Sequence, residues 1–459
     1  MADTSSLASL KTDNFVQTFQ GHVPVGTFTK KMLPDDQEIP HLFRPISLRT
    51  KGKDGKTSAL TLKNRAIVSP MCQYSAENGF VSPWHVAHLG SFAIHGAGTI
   101  MTEASAVTPE GRITPQDVGI WSDEHAKAHG NVVASLKRIA DKITVGVQLA
   151  HAGRKASTWS PFYRGERKHK ERVDKDEGGF PDEVVGPSAE PYNPQWITPR
   201  ELSVDDIKRL QQAFVDAAQR AYEVSGYDFV EVHAAHGYLL HSFLSPVSNK
   251  RTDNYGGSFE NRARFLLDTV RAIKQRWPER SLWVRISATD YAEHLEPGQE
   301  TWNIESSIKL AQQLEQENVD FLDVSAGGLT PEQRISPGPG YQLGFASAIR
   351  KALPIYESNS PTSKARSTAS DGTTPEQAEH MVVGAVGLMD GGSSAPGDLA
   401  EKAIANGETD AILLARGFLS NPKWVTDASE RLAKGIKAGG SPQYHRSHEF
   451  RPAKAQNHN

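Results

Sequence analysis

The chain has 459 residues, more than a single hydrophobic core usually organises, so the choice lies between one large domain and two smaller ones. Its 51 Lys and Arg residues nearly balance 54 Asp and Glu residues, and the formal charge of −3 argues against nucleic acid or an anionic membrane surface as a partner. One cysteine, Cys72, excludes an intramolecular disulfide, a four-cysteine zinc site and a cysteine-ligated iron–sulfur cluster. Without a secretory signal or an apolar run of membrane-spanning length, we expect a soluble, cytoplasmic protein.

Short apolar runs recur eight times along the chain. They cover residues 66–72, 99–107, 144–151, 229–236, 282–288, 321–328, 381–389 and 411–419. Their hydrophobicity is continuous rather than alternating, as expected for parallel strands that are buried on both faces. Segments of helical period lie between them, at residues 203–225, 259–276, 304–317 and 396–406, and Ser203 is placed to cap the first.

Eight strand–helix units predict an α/β fold, a single (β/α)8 TIM barrel over residues 41–440. A doubly wound sheet is the alternative, but such a sheet normally has a Gly-rich turn after its first strand, and this chain has none. Polar stretches lie outside the pattern: an N-terminal leader (1–40), insertions near 160–185 and 355–376, and a C-terminal tail (441–459). We expect the leader and the two insertions to be surface segments.

Polar residues at the strand ends indicate where a ligand binds, because active sites of these barrels lie at the carboxyl ends of the strands. Arg285 and Arg416 occur within the apolar runs of strands five and eight, and Gln148 lies in strand three. A single buried arginine is more often a structural ion pair, but two on separate strands favour an anionic or polar ligand. Glycines in strands seven and eight, including Gly387, suggest a phosphate site and therefore a phosphorylated cofactor.

Strand four ends in His233, His236 and Tyr238. One interpretation is a metal site with Glu231, but no further ligand cluster ends a neighbouring strand, so we predict no metal. Another is a pair of structural histidines bonded to backbone carbonyls. The favoured interpretation is a pair of hydrogen-bond donors that hold a substrate oxygen, with Tyr238 delivering a proton.

Cys72 and Tyr74 follow strand one. A lone thiol is usually an inert buried residue, although its position at a strand end of the predicted barrel favours a functional one. Tyr74, two residues further on, is expected to project beside it into the mouth of the barrel.

Five motifs resemble the old yellow enzyme family. They are SPMCQYS (69–75), EASAVTPEGR (103–112), QLAHAGRK (148–155), EVHAAHGYLLHSFLSPVSNKRTDNYGGSFENRARF (231–265) and ARG (415–417). They occur in order across the eight predicted strands, and the cysteine of SPMC followed by a tyrosine resembles the thermophilic-like, or class III, subgroup. The resemblance implies non-covalent FMN that is reduced by NADPH or NADH and reoxidised by a small-molecule activated alkene: an α,β-unsaturated carbonyl, a nitroalkene, a maleimide or a quinone.

The resemblance also implies roles for individual residues. Ser69, Pro70, Met71, Cys72 and Ala104 match residues that line the flavin; Gln148 and Arg285 match groups that bond its pyrimidine edge; and Gly387, Ala415 and Arg416 match its phosphate and edge contacts. His233 and His236 match the pair that binds the substrate oxygen. Tyr238 matches the proton donor, Cys72 a modulator of the flavin potential, and Tyr74 a substrate hydrogen-bond donor.

Arg446, near the end of the chain, matches an arginine that completes the substrate pocket of a neighbouring subunit in the subgroup, which implies a homodimer or a higher homo-oligomer. Intact catalytic residues favour an ene-reductase. The alternative is a flavin- and ligand-binding sensor or protective protein with incidental turnover.

Overall fold

Eight parallel strands close into a barrel in the computed structural model, which describes residues 23–51, 57–163, 171–295, 298, 300–354, 372–378, 380–391 and 395–444. In chain order, barrel strands 1 to 8 are Ala66–Val68, Thr99–Ala106, Thr144–Ala150, Phe229–Ala234, Ser281–Ser287, Phe321–Ser325, Val382–Ala385 and Ala411–Leu414. Each overlaps one of the predicted apolar runs, and sequential strands pair around the ring until barrel strand 8 pairs with barrel strand 1. The predicted TIM barrel is confirmed.

Helices follow the strands and cover the outside of the barrel. They are Pro83–Ile94, Asp123–Ile139, Val204–Gln219, Leu239–Leu244, Phe259–Arg276, Ile304–Gln316, Leu343–Ala352, Asp398–Ala405, Arg416–Ser420 and Trp424–Leu432. Ser203 caps Val204–Gln219, as predicted, by accepting a hydrogen bond from the backbone N–H of Asp206. A π-helical turn, Arg220–Ser225, continues this helix to the end of the predicted segment.

Stacked aromatic rings fill the barrel at the amino ends of its strands. Trp283 lies between Phe229 and Phe321, with ring centroids 3.8 and 4.0 Å apart, and all three side chains are fully buried. A Cβ at Gly146 would lie 2.1 Å from the Phe229 ring, and one at Gly384 would lie 2.5 Å from the Phe321 ring. Glycine at these two strand positions therefore makes room for the stack, which closes this end and leaves ligands the opposite one.

Segments outside the barrel cover its closed end and sides. The antiparallel strands Ile46–Lys51 and Thr57–Leu62 form a sheet with Glu376–Gln377, and Val185–Gly186 pairs with Arg200–Glu201. The described part of the predicted leader, residues 23–40, contributes the buried side chains Val25, Phe28, Leu33 and Ile39. Residues 164–170 and 355–371 of the two insertions lie outside the described residues. No helix within the described ranges is long and apolar enough to cross a membrane.

Candidate active site

Polar side chains from five barrel strands meet inside the carboxyl half of the barrel. The Arg285 guanidinium donates to Ser69 Oγ at 3.2 Å, and its Nε lies 3.2 Å from Asp323 Oδ2. Gln148 Nε2 donates to Glu231 Oε1 at 2.7 Å. All five side chains are buried. A charge so deeply buried needs a partner, and for Arg285 that partner is Asp323, which sequence analysis did not single out although it is the one acidic residue in the apolar run of strand six.

A cavity of about 190 Å³ opens above this layer, between barrel strands 4 to 8; we call it the strand-end cavity. Arg285 and His236 line one part of it, and Gly387, Ala415 and Arg416 line the other. Gly387 has φ +106°, a conformation that L side chains rarely adopt, so its backbone borders the cavity where no other residue fits comfortably. The structure therefore brings predicted cofactor residues from strands five, seven and eight to one space.

Three aromatic side chains at the end of barrel strand 4 converge at the barrel mouth. The His233 ring lies edge-on to the His236 ring, with centroids 5.2 Å apart, and to the Tyr238 ring, with centroids 5.1 Å apart. His236 has φ +60° and its Nε2 lies 2.8 Å from Ser325 Oγ, whereas His233 Nδ1 is buried without a partner among the described residues. Burial, followed by the positive charge of Arg285, lowers the pKa of both imidazoles well below the usual value, so both are neutral at pH 7.

Lys155 is a second residue that was not predicted, although it closes the motif QLAHAGRK directly after barrel strand 3. Its Nζ donates to the backbone carbonyls of His236 at 3.0 Å and Gly328 at 2.9 Å, and lies 5.3 Å from the centre of the Tyr238 ring. Burial lowers the pKa of Lys155 to about 7. The pKa of the Tyr238 hydroxyl is raised well above its usual value, chiefly by burial, so this hydroxyl keeps its proton at neutral pH.

Cys72 and Tyr74 lie across the mouth from strand four, after barrel strand 1. Burial, together with the carboxylates of Asp117 and Glu103, raises the pKa of the Cys72 thiol, so it is protonated rather than a reactive thiolate. Tyr74 adopts φ +50°, and its ring lies edge-on to that of Phe162, with centroids 5.4 Å apart. Phe162 belongs to the insertion in the third connection, which therefore reaches the mouth.

The remaining predicted residues lie around the same barrel end. Pro70 and Met71 continue from Ser69 and are half-buried, and Arg416 lines the strand-end cavity with an exposed side chain. Ala104 borders a small cavity of about 10 Å³ shared with Tyr238 and Asp117, a third residue that was not predicted. Arg446 lies outside the described residues.

A metal interpretation gains no support from the geometry. Within the described ranges, the acidic and histidine side chains close enough together to share an ion are Asp174, Asp176 and Glu177, which lie in the third connection and are mostly exposed. His233 and His236 are not among them.

The lining suits a polar heterocycle with a phosphate, because the cations Arg285 and Arg416 line the strand-end cavity and buried polar atoms at the barrel mouth have no partner among the described residues. They include His233 Nδ1 and Gln342 Oε1. Polar atoms buried without partners are rare in folded proteins, and a ligand that supplies donors and acceptors accounts for them.

The NADH:flavin oxidoreductase / NADH oxidase family model matches residues 41–339, nearly two thirds of the chain. The chain belongs to this family.

Relatives of this NADH:flavin oxidoreductase family member cover most of its length. An NADH:flavin oxidoreductase of Gibberella zeae is 38% identical over 86% of this chain and 87% of its own. An NADPH dehydrogenase of Bacillus subtilis is 39% identical over 86% of this chain and 96% of its own. Among solved structures, a variant of morphinone reductase in complex with tetrahydroNAD has a TM-score of 0.61 at 25% identity, covering 88% of this chain and 93% of its own. The protein is an FMN-dependent NAD(P)H oxidoreductase of the old yellow enzyme type.

Proposed function

We propose that this oxidoreductase is an ene-reductase that reduces the C=C bond of activated alkenes, such as α,β-unsaturated carbonyls, nitroalkenes and maleimides. The observation that carries the proposal is the convergence of His233, His236 and Tyr238 at the mouth of a barrel whose strand-end cavity is lined by Arg285 and Gly387. FMN bound in that cavity supplies the hydride, which it has received from NADPH or NADH.

The two histidines bind the oxygen of the activating group. As neutral imidazoles, each has one N–H to donate, and the unpartnered Nδ1 of His233 is available to a ligand. Hydrogen bonds to a carbonyl or nitro oxygen withdraw electron density from the double bond, so negative charge that develops on that oxygen is stabilised. Ser325 and Lys155 support this geometry, because they contact the His236 ring nitrogen and backbone carbonyl respectively.

Tyr238 delivers the proton to the carbon next to the activating group. Its hydroxyl stays protonated because burial raises its pKa, and its ring packs directly on His233, so the acid and the oxygen-binding group share one face of the site. Tyr74, across the mouth, is the proposed second hydrogen-bond donor to the substrate.

We assign the cofactor contacts by resemblance to the family. Ser69, Pro70, Met71, Cys72 and Ala104 would line the flavin, Gln148 and Arg285 would bond its pyrimidine edge, and Gly387, Ala415 and Arg416 would hold its phosphate and outer edge. A protonated Cys72 thiol is suited to hydrogen-bond the flavin and so to modulate its potential.

We propose that Arg446 completes the site of a second copy of the chain, in a homodimer or higher homo-oligomer. Tyr444, two residues earlier, is 43% exposed and stacks on His95 at the end of helix Pro83–Ile94. Trp84 on that helix and Leu419 are 55% and 50% exposed, so both are open to contact with a second copy. For Arg446→Ala we expect a KM raised several-fold with FMN retained. Arg451→Ala in the same tail is the control, and an unchanged KM for Arg446→Ala would remove the arginine from the pocket.

An anaerobic visible spectrum tests the proposed function. The flavin band is expected to bleach on addition of NADPH and to return on addition of 2-cyclohexen-1-one. Bleaching without return, across a panel of enones, nitroalkenes and maleimides, would contradict the ene-reductase activity and favour a dedicated oxidant such as a quinone, or a ligand-binding protein. A protein that does not take up FMN would contradict the cofactor assignment as well.

A further inference from the structure

Asp323 is the ion-pair partner of Arg285 inside the barrel, where both side chains are buried. In the register of barrel strands 5 and 6 the two residues lie side by side, and Asp323 Oδ2 lies 3.2 Å from Arg285 Nε. The Asp323 side chain is 0% exposed and that of Arg285 is 7% exposed. The guanidinium also donates a hydrogen bond to Ser69 Oγ, at 3.2 Å. Arg285, which lines the strand-end cavity, therefore has a buried carboxylate beside its guanidinium.

A second buried carboxylate, Glu231, lies in the same layer but has a different partner. Its Oε1 accepts from Gln148 Nε2 at 2.7 Å, and its Oε2 has no partner among the described residues. The layer therefore contains two carboxyl groups and one guanidinium. Two carboxylates sharing one buried cation cannot both remain ionised at low cost, so one of them holds a proton.

The contacts indicate which carboxyl group is protonated. Asp323 has the guanidinium within salt-bridge distance, whereas Glu231 has only a neutral amide. Burial raises the pKa of Asp323 to about 6, and burial together with the charge of Asp323 raises the pKa of Glu231 well above its usual value. Above pH 7 the layer consequently contains an ionised Arg285–Asp323 pair and a neutral Glu231.

We propose that Asp323 is a positioning residue that holds Arg285 against the pyrimidine edge of the flavin and cancels part of its charge, thereby lowering the reduction potential of the flavin. The proposal rests on the placement of Arg285 in the proposed function. Reduction adds negative charge to that edge of the flavin, so a bare cation there favours the reduced form, and a neutralised cation favours it less. A lower potential makes the reduced flavin a stronger hydride donor toward an alkene.

The experiment compares FMN-loaded wild type, Asp323→Asn and Glu231→Gln at pH 8. The two measurements are the midpoint potential, from an anaerobic titration against a reference dye, and the dissociation constant of sulfite, an anion whose flavin adduct carries negative charge at the same edge. For Asp323→Asn we expect a more positive potential and sulfite binding at least tenfold tighter. Glu231→Gln replaces one neutral group with another and is expected to match the wild type within twofold.

Three results would overturn the role of Asp323. The first is an FMN-loaded Asp323→Asn protein with the potential and sulfite affinity of the wild type. The second is a shift in the opposite direction. The third is a larger effect of Glu231→Gln than of Asp323→Asn, which would show that Glu231 rather than Asp323 is the ionised carboxylate. Wild-type protein that does not take up FMN or is not bleached by NADPH refutes the proposed function, whereas normal wild-type behaviour with an unmoved Asp323→Asn refutes only this role.

If Asp323→Asn does not fold, the plot of potential against pH for the wild type and for Asp323→Glu provides the test between pH 5 and 6.5. The other titratable groups facing the layer are Glu231, His233, His236 and Lys155. Burial raises the pKa of Glu231 and lowers those of both histidines, and Lys155, with a pKa of about 7, is mostly protonated in this range. Protonation of Asp323 is expected to add a break near pH 6 that moves in Asp323→Glu, and a plot without a break, or a break at the same pH in both proteins, overturns the role.

Discussion

Removing a single hydroxyl group tests the assignment of the proton donor. Tyr238→Phe retains the ring, and with it the contact to His233 and the contact to Lys155, whose Nζ lies 5.3 Å from the ring centre. The structure records no hydrogen bond of the Tyr238 hydroxyl to another described residue, so its loss leaves no protein group without a partner. We therefore expect the variant to fold, to bind FMN and to be reduced by NADPH at the wild-type rate.

The second half-reaction, in which the alkene is reduced, is where the change should appear. A positioned general acid typically contributes a factor of 10² to 10⁴, which corresponds to about 3 to 5 kcal/mol of transition-state stabilisation. Because the Tyr238 hydroxyl is the buried acid that packs on the oxygen-binding histidine, we expect flavin reoxidation by 2-cyclohexen-1-one to slow by at least about 10²-fold.

Stopped-flow absorbance under anaerobic conditions separates the two half-reactions. Tyr192→Phe is the matched control, because its ring also contacts Lys155, at 4.5 Å, but has no recorded contact with either histidine. Reoxidation in D2O should show a solvent isotope effect for the wild type and for Tyr192→Phe. Equal slowing of both half-reactions by Tyr238→Phe, or reoxidation at the wild-type rate, would refute the assignment of Tyr238 as the acid.

Three further predictions concern packing, titration and the mouth of the barrel. Gly146→Ala places a Cβ against the stacked rings and is expected to destabilise the protein by about 1–3 kcal/mol or more. Gly344→Ala, on a helix with open space around the new methyl group, is the control and should be neutral or stabilising. Equal denaturation midpoints for the two variants would contradict the packing argument. Burial raises the pKa of Asp117 to about 7, so the protonated carboxyl stabilises the fold fully below pH 4, and this stabilisation is lost as the pH rises to about 7. Asp117→Asn should therefore flatten the plot of Tm against pH over this range. A plot for Asp117→Asn that runs parallel to that of the wild type would argue against burial of the charge. Phe162→Ala removes the ring that packs on Tyr74, the proposed substrate donor. Because Tyr74 is then less well positioned, KM for small enones is expected to rise several-fold while the flavin spectrum stays unchanged. An unchanged KM would show that the insertion does not shape the pocket.

Local patterns were sufficient to predict the barrel and much of its mouth. Continuous apolar runs identify buried parallel strands, and helical periods between them leave few other arrangements, so all eight barrel strands were located. The carboxyl ends of parallel barrel strands lie at one end of the barrel, so residues at the ends of those runs meet there. Their positions in the sequence alone therefore indicate Arg285, His233 and Tyr238 as site residues.

What the sequence could not reveal is which groups face each other across neighbouring strands. Asp323 lies 38 positions from Arg285 along the chain, and only the register of barrel strands 5 and 6 makes them partners. Lys155 is recognisable as a polar residue after a strand, but its contact with the His236 carbonyl and its lowered pKa depend on how two loops pack. Periodicity is a local property and so is encoded in short stretches of sequence, whereas register and burial depend on the closed barrel, and these determine the protonation state of each group in the site.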